Sequence, residues 1–213
     1  MIITIKSRLY FYFGMSLLVT SLISIGFFFQ RYRGELDKGI NDRLLIGAEL
    51  SANGIDPALI VKADEEGFQK QEIFGQTLKY LKGVEKAFGF KYIYSMIKTD
   101  GKYIFIHDSG NYEPEDDYDD SFLTPYEDFP PALEEAWNTG ESKMEEYTDQ
   151  WGSFRSVFYP VRDTTGKVIY AIGVDYSIDT VKSTIRQAWI VLAFILGILV
   201  VITLAVVYRL RGM

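Results

Sequence analysis

Two stretches run for 22 residues each without a formal charge, residues 9–30 and 187–208, and each is closed at both ends by arginine: Arg8 and Arg31, Arg186 and Arg209. Nothing else in the sequence restricts the fold as strongly. At about 1.5 Å per helical residue, either run covers the roughly 30 Å of a bilayer's hydrocarbon core. The expected plan is a short tail (1–8), a transmembrane helix (9–30), an intervening domain (31–186), a second transmembrane helix (187–208) and a stub (209–213). The first run exceeds the ~7–15 residue core of a signal peptide, and no small-x-small site follows Phe27-Phe28-Phe29, so it reads as an uncleaved anchor. Lys6 and Arg8 precede the first span, Arg209 and Arg211 follow the second, and neither end carries an acid. Cations concentrate on the cytoplasmic side, which puts both ends inside and the domain outside, in a plasma or inner membrane.

Composition narrows what that outer domain does. The chain's net charge is -7, but setting aside the four terminal cations leaves 18 basic residues against 29 acids in residues 31–186, a balance of -11. A surface that acidic repels nucleic acid. No cysteine is present, which excludes disulfides and thiolate metal sites, and a single histidine excludes a multi-histidine site within one subunit. The sequence offers no phosphate-cradling glycine loop and no Ser or Cys nucleophile with a workable triad, so neither an enzyme nor a cofactor is expected.

The first span continues past the bilayer. Leu36, Ile40, Leu44 and Ala48 extend an apolar stripe at four-residue spacing, predicting a helix to about Ala52, where Asn53-Gly54-Ile55-Asp56-Pro57 breaks it. Residues 71–88 form a further helical pattern, with Phe74, Leu78, Leu81 and Val84 or Glu85 near one face and Gly89 as the stop. Asp100-Gly101 marks a type I′ hairpin between strands 91–98 and 102–108. Its register pairs Met96 with Phe105, Ser95 with Ile106 and Tyr94 with His107, placing Tyr94, Met96, Phe105 and His107 on one face. An irregular acidic loop at 113–120 follows, then a short helix at 130–139 ended by Gly140.

A second hairpin closes the domain. Strands 153–160 and 167–175 flank Arg162-Asp163-Thr164-Thr165-Gly166, and a four-residue turn pairs Tyr159 with Tyr170, Ser156 with Gly173 and Phe154 with Asp175. Val157, Tyr159, Tyr170, Ile172 and Val174 make a bulky face suited to a helix cover. Ser156, Ala171, Gly173 and Asp175 make a small, polar one. With Tyr94, His107, Phe154 and Phe158 around it, that second face forms a hollow with a few convergent polar groups, as a small-ligand site requires. Ser177 then caps a helical pattern that runs on through the second span.

These features resemble a known family. The order of long helix, hairpin, loop, helix and hairpin, with Tyr147-Thr148-Asp149-Gln150-Trp151-Gly152, Arg155 through Val161, Asp163, Gly166-Lys167-Val168-Ile169 and Gly173-Val174-Asp175, is similar to the single Cache domain, the PAS-like extracytoplasmic sensor of bacterial transmembrane receptors such as methyl-accepting chemotaxis proteins. The resemblance covers about residues 31–186. It implies an α+β fold with a five-stranded antiparallel sheet, a homodimer formed through the long N-terminal helix, and a chemotaxis, histidine kinase or diguanylate cyclase output. It further implies that Asp175 contacts a ligand amine, while the Arg-x-Trp-Tyr run that grips a carboxylate in amino-acid-binding relatives is missing. The candidate site is Asp175 with Tyr94, His107, Tyr147, Trp151, Phe154, Ser156 and Arg155. His107 has a core role as its alternative and Arg155, whose parity puts it on the helix-covered face, a structural tie. The expected partners are an organic acid, amino acid or amine, the lipid bilayer, a second copy, and a cytoplasmic signalling module, carried on a longer chain or on a partner since only five residues follow the second span. The rival reading is a membrane-anchored subunit that docks another protein and binds no metabolite.

Overall fold

The computed structural model describes residues 5–60, 63, 68, 71–112 and 121–211. The acidic loop 113–120 lies outside them. Two units emerge, one of Met1–Lys38 with Val181–Met213, the other Gly39–Thr180.

In the first unit, the uncharged runs are helical as their length demands. Helix α1 covers Ile5–Asn53 and helix α5 covers Ile178–Arg211, the first running on well past the hydrophobic stretch. Both are long and apolar enough to cross a membrane. Three of their hydroxyls fold back onto the helix, Thr20 and Ser21 donating to the carbonyls of Ser16 and Leu17, and Thr203 to that of Leu199. In an apolar medium that satisfies hydroxyls which find no water. Phe29 and Trp189 stack with ring centres 4.0 Å apart.

The second unit is a sheet with long helices on one face and, on the other, an aromatic cluster under a short helix. Helix α2 is one turn, Pro57–Ile60, and α3 covers Glu72–Phe88, stopped by Gly89 at φ 72°, whose N–H bonds the carbonyl of Glu85. Strands β1 (Tyr92–Thr99) and β2 (Lys102–Asp108) turn at Asp100 and Gly101, both at positive φ as a type I′ turn needs. Then come β3 (Pro125–Tyr126), helix α4 (Pro131–Thr139), β4 (Lys143–Asp149), β5 (Gly152–Arg162) and β6 (Val168–Ser177). The strand order is β3-β2-β1-β6-β5-β4, antiparallel throughout. The sheet therefore has six strands rather than five. Beyond the four strands of the two hairpins it holds β4 and β3, the latter two residues long and pairing Tyr126 with Tyr103.

Two registers differ from the sequence expectation, with different consequences. In β1–β2 a bulge after Ser95 pairs Ser95 with His107 and Tyr94 with Asp108. Because strand faces alternate with period two, that one-residue slip carries His107 to the opposite face. In β5–β6 the connection is one residue longer, and a bulge at Val161/Arg162 adds another, so Ser156 pairs with Asp175 and Phe158 with Gly173. A two-residue slip leaves every side chain on its expected face. Val157, Tyr170, Ile172 and Val174 of the bulky face are accordingly buried and Tyr159 is half-buried, while Leu44, Ala48, Phe74, Leu78 and Leu81 of the helices are buried as well. The Tyr170 hydroxyl reaches the carbonyl of Ala52 on α1 at 3.1 Å.

Candidate ligand-binding site

The two hairpins join through β1 and β6, pairing Tyr92 with Asp175 and Tyr94 with Gly173. That single pairing places the last carboxylate of β6 among aromatics from β1. A cavity of about 260 Å³ opens there, lined among others by Tyr94, Phe105, Tyr126, Trp151, Phe154 and Asp175. Tyr94, Phe105, Tyr126 and Phe158 belong to the buried cluster that α4 covers with Ala132, Leu133 and Ala136. Trp151, half exposed, stands at the rim with its ring edge-on to Phe105 and inclined to Tyr126.

Asp175 is 3% exposed. Its Oδ1 accepts from Ser156 Oγ at 2.6 Å, Tyr94 Oη at 3.2 Å and Tyr147 Oη at 3.4 Å. Burial raises its pKa to about 7; the bonds from Ser156 and Tyr94 oppose the rise, and the carboxylates of Asp149 and Asp108 add to it. The tyrosines respond in kind. Burial, then the charge of Asp175, raises Tyr94 and Tyr147 well above the ordinary phenol value, and burial raises Tyr126.

The second carboxylate, Asp149, ends β4. Its Oδ1 accepts from the N–H groups of Trp151 at 2.8 Å and Gly152 at 3.2 Å, so it shapes the turn that carries the rim. Its Oδ2 accepts from Tyr126 Oη at 3.1 Å, which ties that turn to β3. The third, Asp108, accepts the N–H of Gly110 at 2.8 Å and sits where β2 runs into the Ser109–Asn111 turn. Next to it Ser109 donates to Glu85 Oε2 at 2.6 Å and accepts from the N–H of Ile93 at 2.9 Å, binding that turn to α3 and β1.

Of the residues expected at the site, Tyr94, Trp151, Phe154 and Asp175 line the cavity. Tyr147 and Ser156 stand behind, holding Asp175. The remaining two lie elsewhere. His107 is buried on the α3 side, stacked on Phe74 with ring centres 4.9 Å apart and its Nδ1 2.8 Å from Ser95 Oγ; burial lowers its pKa to about 3, so it stays neutral. Arg155 pairs across the strands with Glu146, its Nε 2.6 Å from Oε1. Asp108, Tyr126 and Asp149 were not foreseen. Asp149 belongs to the Tyr147–Gly152 motif, whereas Asp108 reaches this face through the bulge and Tyr126 through a two-residue strand without alternation. Among the described residues, no group of three His, Cys, Asp or Glu is placed to hold a metal.

Fold and site together define an α+β domain with a small aromatic and carboxylate cavity on one face of its sheet. No protein-family model matches the chain, and no curated protein sequence matches it. Solved structures to which the chain is similar include both sensor domains and free methionine-R-sulfoxide reductases. They include the E. coli DcuS sensor domain (15% identity, 70% of this chain and 96% of that one, TM-score 0.46). Two others are the sensory domain of the Campylobacter jejuni chemoreceptor Tlp3 with isoleucine bound (14%, 84% and 65%, 0.47) and the V. cholerae histidine kinase DctB sensor domain (16%, 82% and 60%, 0.49). The chain spans nearly all of the first but under two thirds of the other two. At identities and scores this low, function has to be read from this chain's own residues.

Proposed function

We propose that this chain is the sensing part of a membrane receptor, a single Cache-like domain between two spans that binds a small extracytoplasmic molecule. One observation carries the reading: the cavity's innermost carboxylate, Asp175, lies on β6, and β6 passes into α5 without an intervening residue, Ser177 ending the strand and Ile178 starting the helix. A ligand that favours one placement of β6 thereby acts on the segment that enters the second span. It biases the outcome only by its difference in affinity between the two states. Leu45, Ile46 and Leu50, exposed on α1 within the folded domain, support pairing with a second copy. The output is a cytoplasmic module, of chemotaxis, kinase or cyclase type, in the same assembly.

Two experiments test this. Because the chain has no cysteine, single cysteines introduced at Lys6, Lys102 and Arg209 report sidedness through an impermeant thiol reagent in intact cells. Only Lys102→Cys labels if the domain faces outward. A thermal-shift screen of the full chain against organic acids, amino acids and amines gives stabilisation that Asp175→Asn removes. A screen without any hit, together with a stable complex with another protein, supports the docking subunit instead.

A further inference from the structure

We infer that the domain-side ends of the two spans together form a site for the phosphate of an anionic phospholipid, gripped from α1 and α5 at once. The inference rests on the reading of both helices as membrane spans and not on what the cavity binds. Going from the uncharged runs toward the folded domain, α1 carries Arg31 and Arg33 before its first acid, Glu35, and α5 carries Arg186 and Lys182 before Asp179. All four cations are exposed, and none has an ion-pair partner among the described residues. They stand out in a segment whose overall balance is -11. Like charges gathered beside a low-dielectric medium repel one another unless an anion lies between them.

The two helices bring these cations to one level. Phe29 of α1 stacks on Trp189 of α5 with ring centres 4.0 Å apart. The half-buried residues around that contact, Ile25, Phe29 and Tyr32 on α1 and Ile185, Ala188 and Leu192 on α5, recur every three or four positions, as along one helix face. Counted from the ring contact at ~1.5 Å per residue, Arg31 and Arg33 lie roughly 3 and 6 Å toward the domain along α1, and Arg186 and Lys182 roughly 5 and 11 Å along α5. Arg31 and Arg33 adjoin Tyr32 and Arg186 adjoins Ile185, so on both helices the cations flank the line of contact. Just below stand exposed Phe28 and Trp189 and half-buried Tyr32, side chains of the kind that mark the boundary between hydrocarbon and headgroups. The headgroup layer reaches roughly 5–7 Å beyond that boundary, the depth at which the arginines fall. Three of the four cations are arginines, whose planar fork holds a phosphate through two parallel N–H bonds. That depth favours a phosphate fixed in the bilayer over one in solution. The charge favours a net-negative headgroup over a zwitterionic one, whose ammonium meets the same cations.

The test places the full chain in phosphatidylcholine nanodiscs with a trace of spin-labelled phosphatidylglycerol or spin-labelled phosphatidylcholine. Electron paramagnetic resonance then reads the motionally restricted fraction of each lipid. The expected result is an association constant at least about threefold higher for the anionic lipid. Arg31→Gln with Arg33→Gln, and separately Lys182→Gln with Arg186→Gln, each removes most of that preference, because a phosphate held from both helices is lost when either lets go. Changing the three arginines to lysine keeps the charge, drops the paired N–H bonds and lowers the preference about twofold. Lys6→Gln, Arg8→Gln, Arg209→Gln and Arg211→Gln together leave most of it in place. Equal association of the two lipids, a preference that follows the terminal cations, or one that merely halves with each pair overturns the shared site and leaves the sensor reading standing. Release of the lipid by millimolar inorganic phosphate assigns the cations to a soluble anion and likewise overturns it. A chain that does not insert into nanodiscs overturns both.

Discussion

Tyr94 lies across the backbone of Gly173, its directly paired residue on the neighbouring strand, and the missing side chain is what lets its hydroxyl reach Asp175. A Cβ built on Gly173 would sit 2.1 Å from Cε2 of the Tyr94 ring and 2.3 Å from Cζ. Gly173→Ala therefore displaces the ring, at a cost of about 1–3 kcal/mol as for other overpacked sites. Because the two residues touch, Gly173→Ala combined with Tyr94→Ala is expected to cost less than the sum of the single changes. Urea unfolding of the three variants and the unaltered protein checks this, and strict additivity would contradict it.

Asp175 makes stability depend on pH in an unusual direction for an aspartate. Its folded pKa of about 7 stands above the ordinary value of 3.8, so the folded state holds the extra proton. The associated stability is complete below about pH 4, declines as pH rises toward 7 and is gone above it. Between about pH 5 and pH 8 the loss is roughly 2–3 kcal/mol at ~1.4 kcal/mol per unit. Asp175→Asn removes that dependence, and melting curves of the two proteins at both pH values should converge at the acid end and separate at the alkaline end, the variant being the more stable there.

Ser109 holds together three elements behind the cavity. Ser109→Ala leaves Glu85, among the described residues, with Lys82 alone and strips the N–H of Ile93 of its acceptor. Buried groups left unpaired cost about 1–3 kcal/mol, which chemical denaturation should show. An unchanged stability would contradict the tie.

How much of this could be read in the sequence depended on whether a local pattern governed the residue. The helices follow from uncharged length and from the Leu44, Ala48 and Phe74, Leu78, Leu81 stripes, each of which is buried as expected. Asp175, Ser156 and Gly173 kept their face because the β5–β6 slip is even. His107 lost its face because the β2 bulge is odd, and nothing in a run of alternating residues announces a bulge. Tyr126 joins the site through a strand of two residues, too short for a period. Asp149 and Asp108 meet Asp175 only because β1 and β6 pair at the centre of the sheet, a long-range choice that hairpin patterns leave open.

The central claim is that occupancy of the cavity is mechanically reported through β6 to α5. Spin labels on Lys102→Cys and Arg209→Cys in the full chain, placed in nanodiscs and read by double electron–electron resonance, measure it most directly. The account predicts that a saturating ligand shifts the distance distribution and that Asp175→Asn abolishes the shift. Full occupancy by calorimetry with an unmoved distribution would contradict it.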